Sequence, residues 1–450
     1  MPTTHRQILT LAWPIVLANA GVPLLGLVDT AVIGHVGTTA DLGAIGLGAL
    51  IFSFVFWGFG FLRMGTTGFV AQAWGRGDSA EVRATVVRAL GLAVVVGTVL
   101  IAVQQPIAWL ALELIGASDQ VERLTRGYYD LRIWAAPASL GMFAVTGALV
   151  GLGRTRAVLL VQVVLNGLNA ALDVLLAGVL GMGVGGIALG TALAEWTAVA
   201  VGMWVLWRIV RAERKDSEPW WPRERLRDWA KARELLAANA DIMVRTLFLL
   251  LGFGWFVNQG AQFGDRILAA NYVLLQLIAL SAYLLDGYAH STEILVGRAI
   301  GRARAMSPRG SAATEGAEPS EFDAAVKVST PLAAISAVVL SLLVLAFGPW
   351  MIRALTDLAP VREVAVDYLP WTALYIAVSF AAFQLDGIFI GATATRAMRN
   401  ASVLSCLGFI ALSLPLIGAW ENTGLWVAFV GFVVLRAGAL GVLYGRVGTG

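Results

Sequence analysis

Apolar runs of about 20 residues recur from one end of the chain to the other, and a helix of that length is what crosses the hydrocarbon of a bilayer. The runs place spans near 8–35, 43–73, 84–110, 124–151, 157–181, 184–208, 235–262, 267–296, 324–354, 363–391, 397–419 and 423–445. That is about twelve. Inside lipid a segment must satisfy its own backbone hydrogen bonds, so each run is expected to be a helix. Composition agrees: 58% of the residues are hydrophobic and 14% charged, against roughly 45–50% and about 25% in a soluble domain. The fold class is therefore an all-α membrane protein, with tilted or kinked helices where a run exceeds the minimum length. The first apolar stretch is too long for a signal-peptide core and continues into further spans, so no cleaved leader is expected. Cys406, the single cysteine, lies in an apolar run and reads as packing rather than as a disulfide or metal ligand.

Basic residues fall in alternate connections. Arg76, Arg83 and Arg88 lie on one side, joined by Arg154 and Arg156, a dense cluster from Arg211 to Arg233, then Arg298 to Arg309, Arg396 and Arg399. The opposite side has few, among them Arg123, Arg126 and Arg266. The positive-inside rule then puts both termini in the cytoplasm. The net charge is only +3 and the basic residues sit in loops, so nucleic acid is not an expected partner. The polar segment 211–234 divides the spans six and six. It reads as a basic cytoplasmic linker, with room for an interfacial helix carrying Trp220, Trp221 and Trp229. The segment 303–321 reads as a flexible loop. The expected organisation is a first lobe at 1–210, the linker, and a second lobe at 235–450. An internal repeat supports two lobes: "GALVGLGRTR", ending at Arg156, matches "GIFIGATATR", ending at Arg396, and pairs Gly147 and Gly151 with Gly387 and Gly391. An even number of spans per half implies parallel repeats, related by a pseudo-two-fold axis along the membrane normal.

Ionisable residues inside spans are costly and mark function by default. Asp29, Arg63, Asp173, Glu195, Asp286, Glu293 and Asp386 fall inside the predicted spans. In the fifth span, Gln162, Asn166, Asn169 and Asp173 share an arc of about 60° on an otherwise apolar helix. Such a stripe faces either a water-filled cavity or a neighbouring helix that it holds by hydrogen bonds. Depth adds a second constraint. Counted at 1.5 Å per residue, Asp29, Asp173 and Thr191 each lie about 9–12 Å below the outer surface, with Asn169 one turn deeper than Asp173. Two carboxylates, an amide oxygen and a hydroxyl at one level make an all-oxygen site suited to a hard cation or to shared protons. Two carboxylates this close in a low dielectric are expected to titrate as a coupled unit, which makes protonation a switch. Glu195 lies one turn beyond Thr191 and reads as facing the same polar core. Asp286 and Asp386 either line the cavity or pair with an arginine. The first span contains Pro14 and Pro23, and Pro23, six residues before Asp29, predisposes it to bend.

No metal spacing joins His5, His35 and His290, and no nucleophile motif, P-loop or cofactor loop stands out, so no enzyme and no cofactor are expected. Active transport would then draw on an ion gradient. The segments "LVDTAVIGH" around Asp29, "FLRMGTTGFVAQAWGRGD" at the end of the second span, "LNAALDVLLAGVLGMGVGGIALGTALAEW" across the fifth and sixth, and "FQLDGIFIGATATRAMRN" around Asp386 resemble the multidrug and toxic compound extrusion (MATE) family, in its DinF branch. The likeness covers nearly the whole chain.

That resemblance implies two six-helix lobes in a V shape, set in a bacterial inner membrane. It also implies a monomer that exports small organic, often cationic amphiphilic compounds by alternating access, in antiport with H+ or Na+. The family's first-lobe cation site falls here on Asp29, Asn169, Asp173 and Thr191, and a family tyrosine near it falls on Tyr128 or Tyr129. Tyr128, Gln162, Asn166, Glu195, Asp286 and Asp386 are the expected cavity residues. The NorM branch places an acid in the seventh span that this chain lacks, which puts a second-lobe sodium site in doubt. The alternative within the superfamily is a flippase for lipid-linked oligosaccharide or peptidoglycan precursor. Such proteins usually have a more cationic cavity than the few intramembrane arginines here suggest.

Overall fold

The computed structural model describes residues 4–115, 117–212, 222–306 and 320–447. Much of the linker, including Trp220 and Trp221, and most of the 303–321 loop therefore lie outside the described residues. The described chain is helical, with no strand. The elements are α1 (His5–Val36), α2 (Thr39–Trp57), α3 (Phe61–Gly75), α4 (Ser79–Ala102), α5 (Gln104–Ile115), α6 (Asp119–Arg132), α7 (Ala136–Gly151), α8 (Thr155–Asp173), α9 (Gly183–Ala212) and α10 (Arg223–Leu226). They continue with α11 (Trp229–Ala261), α12 (Asp265–Met306), α13 (Glu321–Leu355), α14 (Ala359–Gly391) and α15 (Thr395–Leu443).

Among the described residues eleven helical stretches are long and apolar enough to cross a membrane. The expected twelfth is inside α15. Glu421 has φ 49°, and a Cβ on Gly424 would fall 1.9 Å from the Leu416 carbonyl oxygen. The chain therefore doubles back between 416 and 424, and α15 is two spans joined without a loop. A buried amide pair holds this turn. Asn271 donates to Asn422 Oδ1 at 2.8 Å, and Trp426 Nε1 donates to Asn271 Oδ1 at 2.9 Å.

Two compact units result. One comprises Leu17–Leu235, the other Leu236–Gly450 together with the residues up to Val16. The start of α1, assigned from sequence to the first lobe, thus groups with the second half of the chain. The reason is Gly287 of α12, where a Cβ would sit 2.5 Å from Val16 Cγ2. Ser291 Oγ also donates to the Ile8 carbonyl at 3.4 Å.

Each unit is built on the same contact. In the first, Gly147 and Gly151 of α7 lie against the α3 backbone. Added Cβ atoms would fall 2.4 Å from Arg63 O and 2.7 Å from Thr67 O. In the second, Gly387 and Gly391 of α14 lie against α12, with the corresponding distances 2.3 Å to Ala289 O and 2.6 Å to Glu293 O. Without a hydrophobic force between helices in lipid, such close approach is how they associate. The equivalence extends to the helix ends. Gly153 and Arg154 donate back to Val150 O and Leu149 O, and Thr393 and Ala394 donate to Ile390 O and Phe389 O. Gly153 has φ 62° and Thr393 φ 56°, so a β-branched residue fills a left-handed position that glycine fills in the other copy. Thr393→Gly should therefore stabilise the second unit by about 0.5–1 kcal/mol, seen as a higher midpoint on heating in detergent.

Candidate functional site

The first-unit site grows from three helices. Asp29 lies on α1, Asn169 and Asp173 on α8, and Thr191 on α9. Asp29 is 2% exposed and the other three are fully buried. Asn169 Nδ2 donates to Thr191 Oγ1 at 3.1 Å, and Thr191 Oγ1 donates to Ile187 O at 2.9 Å. The amide is thereby turned so that its oxygen is free. The α8 and α9 backbones meet closely at Gly190, where a Cβ would lie 2.6 Å from Asp173 Oδ1. Directly after Asp173 the chain forms a π-helical segment, Val174–Val179, a feature that often marks functional positions in helices. The Asp29, Asp173 and Asn169 side chains lie within hydrogen-bonding reach of one another. Asp29 Oδ1, Asn169 Oδ1 and both carboxylate oxygens of Asp173 are buried without a hydrogen-bond partner. Buried polar atoms are nearly always paired, so these four oxygens must share protons among themselves or hold a cation. The donors are all oxygen, which fits a hard cation or protons. Among the described residues no three of His, Cys, Asp and Glu group as metal ligands.

A second layer surrounds this set. Arg132 on α6 donates to the Tyr128 hydroxyl at 2.6 Å and lies 3.6 Å from Glu195. Its guanidinium sits 4.7 Å from the Phe52 ring centre and 5.6 Å from that of Tyr128, a cation–π arrangement. Ser139 donates to the other Glu195 oxygen. The Arg132 charge also acts on both Asp29 and Asp173. Tyr128 and Glu195 are thus joined to the site through Arg132. Tyr129 instead stacks on Phe52 and its hydroxyl has no partner.

Gln162 and Asn166 serve elsewhere on the stripe. Gln162 donates to Asn166 Oδ1 at 3.1 Å, and Asn166 donates to the Gly21 carbonyl of α1 at 2.9 Å. This is the interhelical hydrogen bond that the stripe allowed, and it ties α8 to the helix carrying Asp29. The side chains of residues 22–24, Pro23 among them, lie outside the described ones.

In the second unit Asp386 accepts from both Arg245 of α11 and Arg436 of α15 through one carboxylate oxygen. Asp286 acts electrostatically on Arg245. Asp386 is therefore held in a buried ion triad, and the seventh span carries an arginine at this level. Arg132, Arg245 and Arg436 are not among the candidates that the sequence singles out. Each lies inside a predicted span, so the rule that intramembrane charge marks function applied to all three. Arg132 thus lies beside Glu195, and Arg245 and Arg436 share the one carboxylate of Asp386.

Paired helical units with buried, unsatisfied acids inside the spans define a polytopic membrane transporter. A family model, MatE, matches residues 14–175 and 248–414, one segment in each half. The chain is 36% identical over 449 residues to DNA damage-inducible protein F of Escherichia coli (strain K12), covering 99% of this chain and 93% of that one. It is 23% identical to the probable multidrug resistance protein NorM of Photorhabdus laumondii subsp. laumondii, covering 98% and 92%. A solved structure described as "Crystal structure of MATE in the bent conformation" superposes with a TM-score of 0.82 at 19% identity, covering 98% of this chain and 95% of that one. The chain belongs to the MatE family, that of the multidrug and toxic compound extrusion transporters. It is a multi-pass membrane transporter of an ion-coupled antiporter family that needs no cofactor.

Proposed function

We propose that the protein exports organic, amphiphilic and often cationic compounds in exchange for protons, with sodium as the other ion to be tested, through Asp29, Asn169, Asp173 and Thr191. The supporting observation is the set of four buried oxygens without partners in the first unit. Substrate occupies the transporter while these acids are charged, and a proton arriving from outside releases it. Tyr128 and Glu195 hold Arg132 beside the acids, and Gln162 with Asn166 hold α1 in register. Asp286 is kept as a cavity residue, whereas Asp386 is committed to its two arginines. The alternative reading, a flippase, would call for a cationic cavity, and here Arg132 lies beside Glu195 while Arg245 and Arg436 share Asp386. Both termini are placed in the cytoplasm of a bacterial inner membrane, and the working unit is a monomer.

Everted membrane vesicles test the coupling. An acidic lumen should drive uptake of a cationic dye, and a sodium-loaded lumen at matched pH should not. Uptake driven by sodium alone would overturn the proton version. Uptake driven by neither gradient, across a panel of dyes, would overturn exchange itself.

A further inference from the structure

The four orphaned oxygens do not by themselves choose between a proton and sodium. We propose that Arg132 makes this choice, as a resident cation whose fixed charge keeps sodium out of the first-unit site. The inference rests on the coupling role given above to Asp29 and Asp173.

Arg132 is fixed from several helices at once. The Tyr128 hydroxyl accepts from it on its own helix, the Phe52 ring of α2 lies beneath it, and Glu195 of α9, itself held by Ser139 of α7, lies 3.6 Å away. Asp29 of α1 and Asp173 of α8 feel its charge. It is 9% exposed, so water screens it little. A guanidinium does not give up its proton in a protein, so this charge is permanent.

The two ions differ in how much repulsion they can tolerate. Sodium must lie between several oxygens as a separate charge, and it draws on the negative charge that Arg132 already offsets. A proton needs one carboxylate oxygen only. It is held there by a covalent O–H bond that two buried carboxylates can share, whereas sodium is held only by the summed charge of several oxygens at once. The same nearby charge therefore moves sodium out of the useful range while protons still bind. The second unit carries the arrangement further, with two arginines on Asp386.

The test is sodium binding to the purified protein in detergent at pH 8, by titration calorimetry and by sodium-specific thermal stabilisation, with choline chloride as the ionic-strength control. The wild type should show neither signal up to about 100 mM sodium. Arg132→Gln should bind sodium at least tenfold more tightly than the wild type, as should Arg132→Met, which keeps packing over Phe52 without the charge. Arg132→Lys should behave as the wild type. Adding Asp173→Asn to Arg132→Gln should remove the new binding. Sodium-specific stabilisation of the wild type would overturn the proposal even if every neutral variant failed to fold. So would folded neutral variants that bind no sodium. Neither result touches the coupling role of Asp29, which fails only if Asp29→Asn retains gradient-driven efflux.

Discussion

Asp29→Asn should reduce proton-driven dye efflux at least tenfold, which is about 1.4 kcal/mol or more of lost coupling free energy, while the protein still inserts and folds. Asparagine keeps the size of the side chain and removes the exchangeable charge. Asparagine can also keep a side-chain hydrogen bond within the set that Asp29 forms with Asp173 and Asn169. The cost to stability should therefore be small. The informative comparison is downhill dye movement without an imposed gradient. If coupling is what Asp29 provides, exchange should fall and passive equilibration should not fall in step. Asp173→Asn should behave in the same way, because both acids belong to one set with Asn169. A double variant should lose little more than either single one, since groups that act as a unit are far from additive. Full proton-driven efflux in Asp29→Asn would remove the central reading of the site.

Gly147→Ala should cost the first unit about 3 kcal/mol, a large effect for so small a change. The added methyl would meet the Arg63 carbonyl oxygen at 2.4 Å, with Arg63 C and Cα at 3.1 Å. All three atoms belong to the backbone of a packed helix, which has no rotamer to change. The helices must move apart, and the contacts along α3 and α7 loosen with them. Gly167→Ala is the matched control. It lies in α8 with nothing within 4 Å of its Cβ position, so the change should stabilise by up to about 1 kcal/mol through helix propensity. Thermal unfolding in detergent separates the two. If Gly147→Ala unfolds no earlier than Gly167→Ala, the close α3–α7 contact is not what holds the unit.

The repeat around Gly147 and Gly387 was legible because it was a pattern of spacing in one chain. Its meaning was not, since nothing in "GALVG" names the partner helix. The same division runs through the candidate site. Helical phase put Asn169 and Asp173 on one stripe, and depth brought Asp29 and Thr191 to their level. In the structure all four side chains are buried and Asn169 donates to Thr191. Phase could not say that Gln162 donates to Asn166 and Asn166 to the Gly21 carbonyl, because a polar stripe serves a cavity and a neighbouring helix equally well. The arginines were missed for a related reason. An arginine in a span can snorkel, pair or stack, and only a three-dimensional neighbourhood separates these. Asp386 shows the consequence. Its own sequence context reads the same whether it faces a cavity or two guanidinium groups.

What the chain of letters determined by itself was the solvent. Long apolar runs admit one way of satisfying the backbone in lipid, so helices, their number and the break within 397–445 followed from length and hydropathy alone. The tertiary structure decided which buried charges are already matched and which are not. Asp386 has its arginines, while Asp29 and Asp173 keep free oxygens beside Arg132. That difference depends on which helices touch and at what height. Hydropathy has no term for it, because transferring a segment into lipid costs the same whichever neighbour it meets there.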